Sequence, residues 1–555
     1  MKIKETLIHT QDQKIHIPPE NYMSMVEQQQ HLLRKMVEAV EPCKKETTIP
    51  TIKMIPGQLH IATDEAECIL IGSNPGIFQR SGQLVRIITE AAKPGKKPLK
   101  EKEEKPPILR PDDALVIIGV DPIYLAETLG KLAFWTKLDE RTKEWKAKDC
   151  PDKIAKTLLA RQQWQLPVLA GVIQAPTLRS DGSILQNPGY DAETGLFYNP
   201  GKTLFPPIPH SPSLEEAIAA KDRLLSLLSE FPFEDEEDKA VALSGILTAL
   251  ARKSIRTAPL HGFTAPKMAT GKSLLADVIG LIATGNTNCV ISQADSEAEE
   301  EKRLLTVLAA GDAVICYDNI ERPFGCAPLC SILSQGIFKG RLLGTNKHIN
   351  VPTNAIFLAT GNNLILIGDI STRAILCRLN PKCEKPEERT FELNLYTYIP
   401  QHRGDLVKDA LTILRAYHVA GRPRQNVSPF GRFEEWSDLI RSALIWVGLA
   451  DACKSRKEIE STDPVRLVLG GLLKAWHATF DSLPVKVKVV VNRDSEELKE
   501  ALAEFAPDNK GGINEISLGR KLQKYNKRIE GGLQLERMSD HQGTATWRVV
   551  KIEDR

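Results

Sequence analysis

The sequence lacks any uninterrupted apolar run of the roughly 18 residues that a membrane-spanning helix needs, so no membrane partner is expected. It also lacks a cysteine framework. Ten cysteines are scattered through 555 residues, Cys326 and Cys330 are the only close pair, and no second pair of Cys or His stands at metal-ligand spacing, which argues against a zinc site. Reduced thiols and no signal peptide make the cytoplasm the expected location. Charge of one sign is missing too. Lys and Arg number 73 and Asp and Glu 71, a formal net charge of +2, so attraction to a polyanion has to come from local patches. Apolar residues are plentiful at 42%, which at this length implies several domains with real cores.

Between Lys272 and Arg373 four pieces of phosphate chemistry follow one another. The first is Pro266-Lys267-Met268-Ala269-Thr270-Gly271-Lys272-Ser273, set between the apolar run Leu260 to Thr264 and the amphipathic stretch Leu274, Leu275, Val278, Ile279, Ile282. A strand, a loop and a helix are expected there. Such a loop cradles phosphates with backbone N–H groups at a helix N-terminus, a Lys that reaches the β/γ-phosphates and a hydroxyl for Mg²⁺. Ala269, Thr270, Gly271, Lys272, Ser273 and Leu274 are therefore the expected nucleotide contacts. The pattern departs from G-x-x-x-x-G-K-[ST] at Pro266, where the first Gly would stand.

The second piece is the apolar run Ala313 to Tyr317, which reads as a buried parallel strand ending in Asp318-Asn319. A carboxylate at the carboxyl end of such a strand, beside a phosphate loop, suits an Mg²⁺ shell, with Ser273 as its companion. A further buried strand, Ala355 to Ala359, leads to Thr360-Gly361-Asn362-Asn363, where the Asn362 amide can orient an attacking water. The last piece is Ser371-Thr372-Arg373 before another apolar run, Ala374 to Cys377; Arg373 can stabilise charge in a neighbouring subunit's site, or pair locally with Asp369. Asn319 stands where a second, water-activating carboxylate would be useful. Glu321 or one of Glu299 to Glu301 is left as the candidate base.

Lys272-Ser273, Asp318, Asn362 and Arg373 together resemble the superfamily 3 helicases of the AAA+ class, and more narrowly the poxvirus-type primase-helicases of phages, plasmids and integrative elements. The likeness runs on through Phe391 to Ala450 and touches Pro176 to Gly182 and Pro188 to Asp191. It implies an ATP hydrolase using Mg²⁺, a ring that is a homo-hexamer, and single-stranded or forked DNA as partner in replication of a mobile genetic element. Gly340 to Leu343 and His348 to Val351 read as a hairpin around Gly344-Thr345-Asn346-Lys347. The resemblance places the DNA contact at its tip, Lys347 and His348, with Arg341 nearby. Thr372 stands where many relatives carry a second Arg.

The expected fold class is an α/β P-loop AAA+ ATPase core, a parallel sheet with flanking helices, joined to an α+β N-terminal domain and a C-terminal winged-helix domain. The expected boundaries are a leader at 1–55 with a helix from Tyr22 to Val40, the α+β domain at 56–210, a helical collar at 211–255, the core at 256–390, a helical region at 391–480 and the winged helix at 481–555. Lys93 to Pro107, rich in Lys, Glu and Pro, reads as a loop. In the last module Leu518 to Arg528 is a helix with Arg520, Lys521, Lys524, Lys527 and Arg528 basic and none acidic, followed by strands Leu533 to Arg537 and Thr544 to Val550. Those five cations are expected to meet DNA. An alternative is a non-helicase replication initiator, its ATP site switching assembly and its winged helix marking an origin. An active primase at 56–210 is disfavoured, because no Asp-x-Asp or Asp-x-Glu pair with a supporting His stands out there; a separate primase is the corresponding partner.

Overall fold

Parallel strands buried on both faces need continuous apolar stretches, and the sheet that organises this chain is built from such stretches. The computed structural model describes residues 49–90, 108–341, 348–507, 514–539 and 545–552. The anticipated Tyr22 to Val40 helix, the Lys93 to Pro107 loop and Lys347 lie outside them. The chain divides into two units, 1–73 with 123–155, and 74–122 with 156–555. Among the described residues no helix is long and apolar enough to cross a membrane.

The first unit is a three-stranded sheet, Thr51–Met54, Phe134–Leu138 and Trp145–Lys148, with the helices Leu59–Ser73 and Pro122–Leu132. Its first pair is parallel and its second antiparallel. Ile52 and Trp135 sit side by side in its core.

In the second unit, a six-stranded sheet runs Ala374–Arg378, Leu260–Ala265, Ile356–Asn362, Val314–Ile320, Cys289–Ile291, Ile108–Leu109. The first five strands are mutually parallel, and the short sixth is antiparallel. All six residues of Leu260–Ala265 are buried, as are Val314 to Tyr317 and Ile356 to Gly361. Each such Leu, Ile or Phe removed from water contributes roughly 1.5–3 kcal/mol, so the two faces hold the sheet and its polar residues are left to its ends. The fold class shown is thus mixed α/β about a parallel sheet.

Two helices brace the sheet, Leu214–Leu227 and Glu236–Ala251. Ser213 and Glu216 form the capping box that their spacing predicts, and Asp235 with Asp238 forms a second one. The long helix Leu395–Val419 packs against Leu214–Leu227 and against the helix Lys272–Thr284. At the C-terminal end, helices Pro464–Phe480, Glu496–Phe505 and Glu515–Lys524 share one apolar core with the strands Leu533–Ser539 and Ala545–Lys551. Trp476, Leu518, Leu522, Leu535 and Val549 are its centre.

Candidate phosphate site

The strand Leu260–Ala265 ends in a loop that turns into the helix Lys272–Thr284. Ala269 (φ +56°) and Gly271 (φ +101°) both take left-handed backbone, which turns successive N–H groups toward one concavity. A Cβ on Gly271 would also lie 3.3 Å from the Phe231 ring. No side chain caps this helix, so its first N–H groups are left to a ligand or to water. Inside the loop Thr270 donates to the Lys267 carbonyl at 2.5 Å and holds the turn closed.

The strand order decides what meets this loop. Ile356–Asn362 lies between the strand that feeds the loop and Val314–Ile320, so Asn362 and Asp318 both emerge beside it. The Lys272 ammonium donates to Asn362 Oδ1 at 2.7 Å and to the Lys267 carbonyl at 3.0 Å. Burial lowers the Lys272 pKa from its ordinary value, and the nearby Asp318 carboxylate opposes that shift. Ser273 Oγ donates to Asp318 Oδ1 at 2.7 Å, and Thr360 Oγ1 donates to the same oxygen at 2.7 Å.

Asp318 owes its direction to an irregularity. The register of Val314–Ile320 against Ile356–Asn362 shifts between Tyr317 and Ile320, and Asn319 takes φ +55°; such a bulge re-aims a side chain at the end of a ladder. Asn319 donates from its side chain to Glu321 Oε1 at 2.9 Å and from its backbone to Thr360 Oγ1 at 3.0 Å. Glu321 is exposed beside the cluster. Among the other carboxylates considered, Glu300 is buried and accepts from the Tyr317 hydroxyl and the Ala294 backbone, while Glu299 pairs with Lys302 and Arg303.

Arg373 lies elsewhere. It immediately precedes the strand Ala374–Arg378, whose first residue stands beside Leu260, at the end of the sheet away from the loop. Six residues of strand at about 3.3 Å each separate them by roughly 20 Å. The guanidinium is buried and donates to Ser334 Oγ at 2.9 Å and to the Asp369 carbonyl at 2.6 Å, with the Asp369 carboxylate 3.3 Å away.

The proposed DNA contacts are spread over two elements. Ile337–Arg341 and His348–Pro352 form an antiparallel hairpin in which Arg341 faces His348, and both are exposed. The helix runs Glu515–Lys524 and not to Arg528 as expected, because the chain turns at Tyr525; on it Arg520 and Lys524 are exposed and Lys521 donates to the Phe505 carbonyl at 2.9 Å, while Arg528, past its end, pairs with Glu530 at 2.9 Å. Lys527 is exposed just past the helix at φ +66°.

Sequence reading missed two groups. Thr360 stands two residues before Asn362 in the same strand, so period-2 alternation puts both on one face; that signal was available. The second group is a pocket of about 330 Å³ against Thr270, Gly271 and Leu274, walled by Phe231, Phe391, Leu393 and Tyr396. Arg389 lies over the Phe391 ring at 5.0 Å. Tyr396 donates to Asp277 on the loop's own helix at 2.8 Å, and burial pushes the Asp277 carboxyl up. An apolar, ring-lined pocket beside a phosphate loop has the chemistry of a base site. Its walls come from segments far apart in the chain, which no local motif reveals.

No family model matches the chain, and no curated protein matches it. Among solved structures it is similar to the A form apo structure of the NrS-1 C-terminal region, at 12% identity and TM-score 0.35 over 79% of this chain and 100% of that one. It is also similar to the SCCmec type IV Cch active helicase, at 11% identity and TM-score 0.31 over 79% of this chain and 90% of that one. The JCV helicase is similar at 11% identity and TM-score 0.21, over 45% of this chain and 73% of that one. At these TM-scores the likenesses carry no argument about fold or activity.

Proposed function

We propose that this chain is an Mg-ATP hydrolase that translocates on or unwinds DNA, working as a ring in the replication of a mobile genetic element. The observation that carries the reading is the convergence of Lys272, Ser273, Asp318 and Asn362 at one end of a parallel sheet, beside a loop with left-handed backbone at Ala269 and Gly271. Lys272 and the loop N–H groups bind the phosphates. Ser273 and Asp318 present hard oxygen donors 2.7 Å apart, which fit Mg²⁺, an ion that keeps several waters and takes few protein ligands. Bound there, the ion would neutralise charge on the β/γ-phosphates. Asn362, released from Lys272 by an incoming phosphate, orients the attacking water, and Glu321, exposed and tied to the Asn319 amide beside Asp318, accepts its proton.

Arg373 acts on a different subunit's nucleotide in this reading, because within one chain it lies at the far end of the sheet. The core is read as an AAA+ P-loop fold and the C-terminal module as a winged helix whose exposed Arg520, Lys524 and Lys527 face DNA. Lys347 and His348 grip single-stranded DNA at the hairpin tip.

A specific observation favours a second reading. The residue after Asp318 is an amide, and it ties up an oxygen of Glu321, an arrangement suited to slow turnover in a nucleotide-switched initiator. ATP hydrolysis with and without single-stranded DNA separates the two, compared among wild type, Lys272→Ala and Lys347→Ala/His348→Ala. A motor shows severalfold stimulation by DNA that the hairpin variant alone loses while keeping basal turnover. Hydrolysis that is absent or indifferent to DNA sinks the motor reading.

A further inference from the structure

Among the described residues, the hairpin of Ile337–Arg341 and His348–Pro352 is a two-stranded sheet of its own, hydrogen-bonded to no strand of the six-stranded sheet. Phe338, Ile349 and Val351 are buried on the side that packs on the helix Glu297–Ala310, and a Cβ on Gly340 would lie 3.0 Å from Leu305 of that helix. Lys339, Arg341, His348 and Asn350 are exposed on the other side. An element outside the main ladder takes its aim from its root. There Thr353 donates from its backbone to the Gly336 carbonyl at 3.1 Å and from its hydroxyl to the Gln335 carbonyl, which closes the two legs on each other.

Two cations reach this root from just past the helix Glu236–Ala251. Arg252 is 2% exposed and donates to the carbonyls of Thr353 at 2.6 Å, Ala355 at 2.9 Å and Ile255 at 2.7 Å. Lys253 donates to Asn354 Oδ1 at 3.0 Å, and the Asn354 amide donates on to the Ala170 carbonyl at 3.2 Å. A cation that merely closes a helix hydrogen-bonds the helix's own last carbonyls. These two reach instead across to residues 353–355, and the Leu250 carbonyl is taken by Thr177 at 2.6 Å. Their acceptors are neutral, and burial lowers the Arg252 pKa to about 10. Holding a charge out of water on carbonyls alone is costly, and an apolar side chain would fill the space without that cost.

The same helix starts at the other end of the sheet. The backbone N–H of Arg378 donates to Asp238 Oδ1 at 2.8 Å, and the Arg378 guanidinium pairs with Asp235 at 2.5 Å. Arg378 stands beside Thr264, near the end of the strand that feeds the phosphate loop. The 16 helical residues span roughly 24 Å, and the run from Ala240 to Thr248 is buried throughout, so the helix cannot bend without opening the core. We infer that Arg252 and Lys253 are positioning residues for the hairpin, and that through them the helix Glu236–Ala251 ties the hairpin's aim to the phosphate end of the sheet. The tie rests on the proposed function in taking the hairpin as the DNA contact; the clamp rests only on the contacts at the root.

Amide hydrogen exchange of the full chain without ligand tests the clamp, compared among wild type, Arg252→Met and Lys253→Met. Lys253→Met should speed exchange about tenfold in Ile337–Arg341 and His348–Pro352, the scale of one hydrogen bond from a charged group, while exchange in Lys272–Thr284 stays unchanged. Arg252→Met should speed it further, and Lys253→Met decides if that variant fails to fold. ATP hydrolysis with and without oligo(dT) tests the tie: both variants should keep basal turnover and lose most of the stimulation, a split that general loosening would not produce. A wild type whose turnover ignores oligo(dT) sinks the motor reading and the tie with it, and the exchange series still decides the clamp. The inference is overturned by hairpin exchange that is unchanged in Lys253→Met, by exchange rising equally in Lys272–Thr284, or by basal turnover and stimulation falling together.

Discussion

At the residue scale, the candidate site is held together by polar contacts that a nucleotide would have to replace. Lys272 has neutral acceptors, Asn362 Oδ1 and the Lys267 carbonyl, so truncating it leaves no carboxylate unpaired and the fold should survive. Lys272→Ala is expected to lower ATP turnover by a hundredfold or more, the scale for removing a preorganised charge that stabilises a transition state, with near-ultraviolet dichroism unchanged; phosphate release measures the first. A different residue controls acid stability. His261, in the strand feeding the loop, is fully buried between Ser244 and the Pro259 carbonyl, and burial pushes its pKa down to about 3 from 6.5. Between those values the unfolded chain binds a proton that the folded chain refuses, so stability falls as pH falls. From pH 7 to pH 5 this should remove up to about 2 kcal/mol, and His261→Asn should flatten that limb of a denaturation series. The motif residues were legible because their chemistry is local. His261 was not, since its environment comes from the helix Glu236–Ala251.

At the scale of elements, the helix behind the loop needs both its ends managed. Its N-terminus has no side-chain cap, and its C-terminus is closed by Arg403, whose guanidinium donates to the carbonyls of Ile282 and Ala283 at 2.9 Å and to that of Gln174 at 2.9 Å. A cation there complements the helix dipole and satisfies carbonyls that would otherwise be buried without a partner. Arg403→Met should cost about 2–4 kcal/mol, read as a fall in the denaturation midpoint, larger than any single exposed salt bridge would give. Apolar runs announced the strands Leu260–Ala265, Val314–Ile320, Ile356–Asn362 and Ala374–Arg378 within a few residues. The bulge at Asp318 and Asn319 was hidden, because it is defined only against the neighbouring strand. The pocket of Phe231, Phe391 and Tyr396 was hidden for a similar reason, being made where the segment before one helix meets the segment before another.

At the scale of the whole molecule, the question is whether a working site spans two chains. Arg373 sits at the end of the sheet remote from the loop, so a charge-stabilising role requires a neighbour. If the sites are composite, Lys272→Ala and Arg373→Ala proteins are each inactive, yet mixing them in equal amounts restores about a quarter of wild-type hydrolysis, because half the loops are intact and half of those face an intact Arg373. No recovery in the mixture would confine the site to one chain. Before mixing, thermal denaturation should show that Arg373→Ala still folds, given its contacts to Ser334 and the Asp369 carbonyl.

The sequence by itself determined which residues can do phosphate chemistry, in what order they occur, and which apolar runs would become buried strands, since periodicity and side-chain chemistry are properties of short segments. Only the tertiary structure decided which of them meet. It interleaved the strands so that Asn362 lies between Lys272 and the strand of Asp318, and sent Arg373 to the opposite end. Strand order and sheet faces are set by how apolar surfaces from distant segments are buried together, and that is a property of the whole chain.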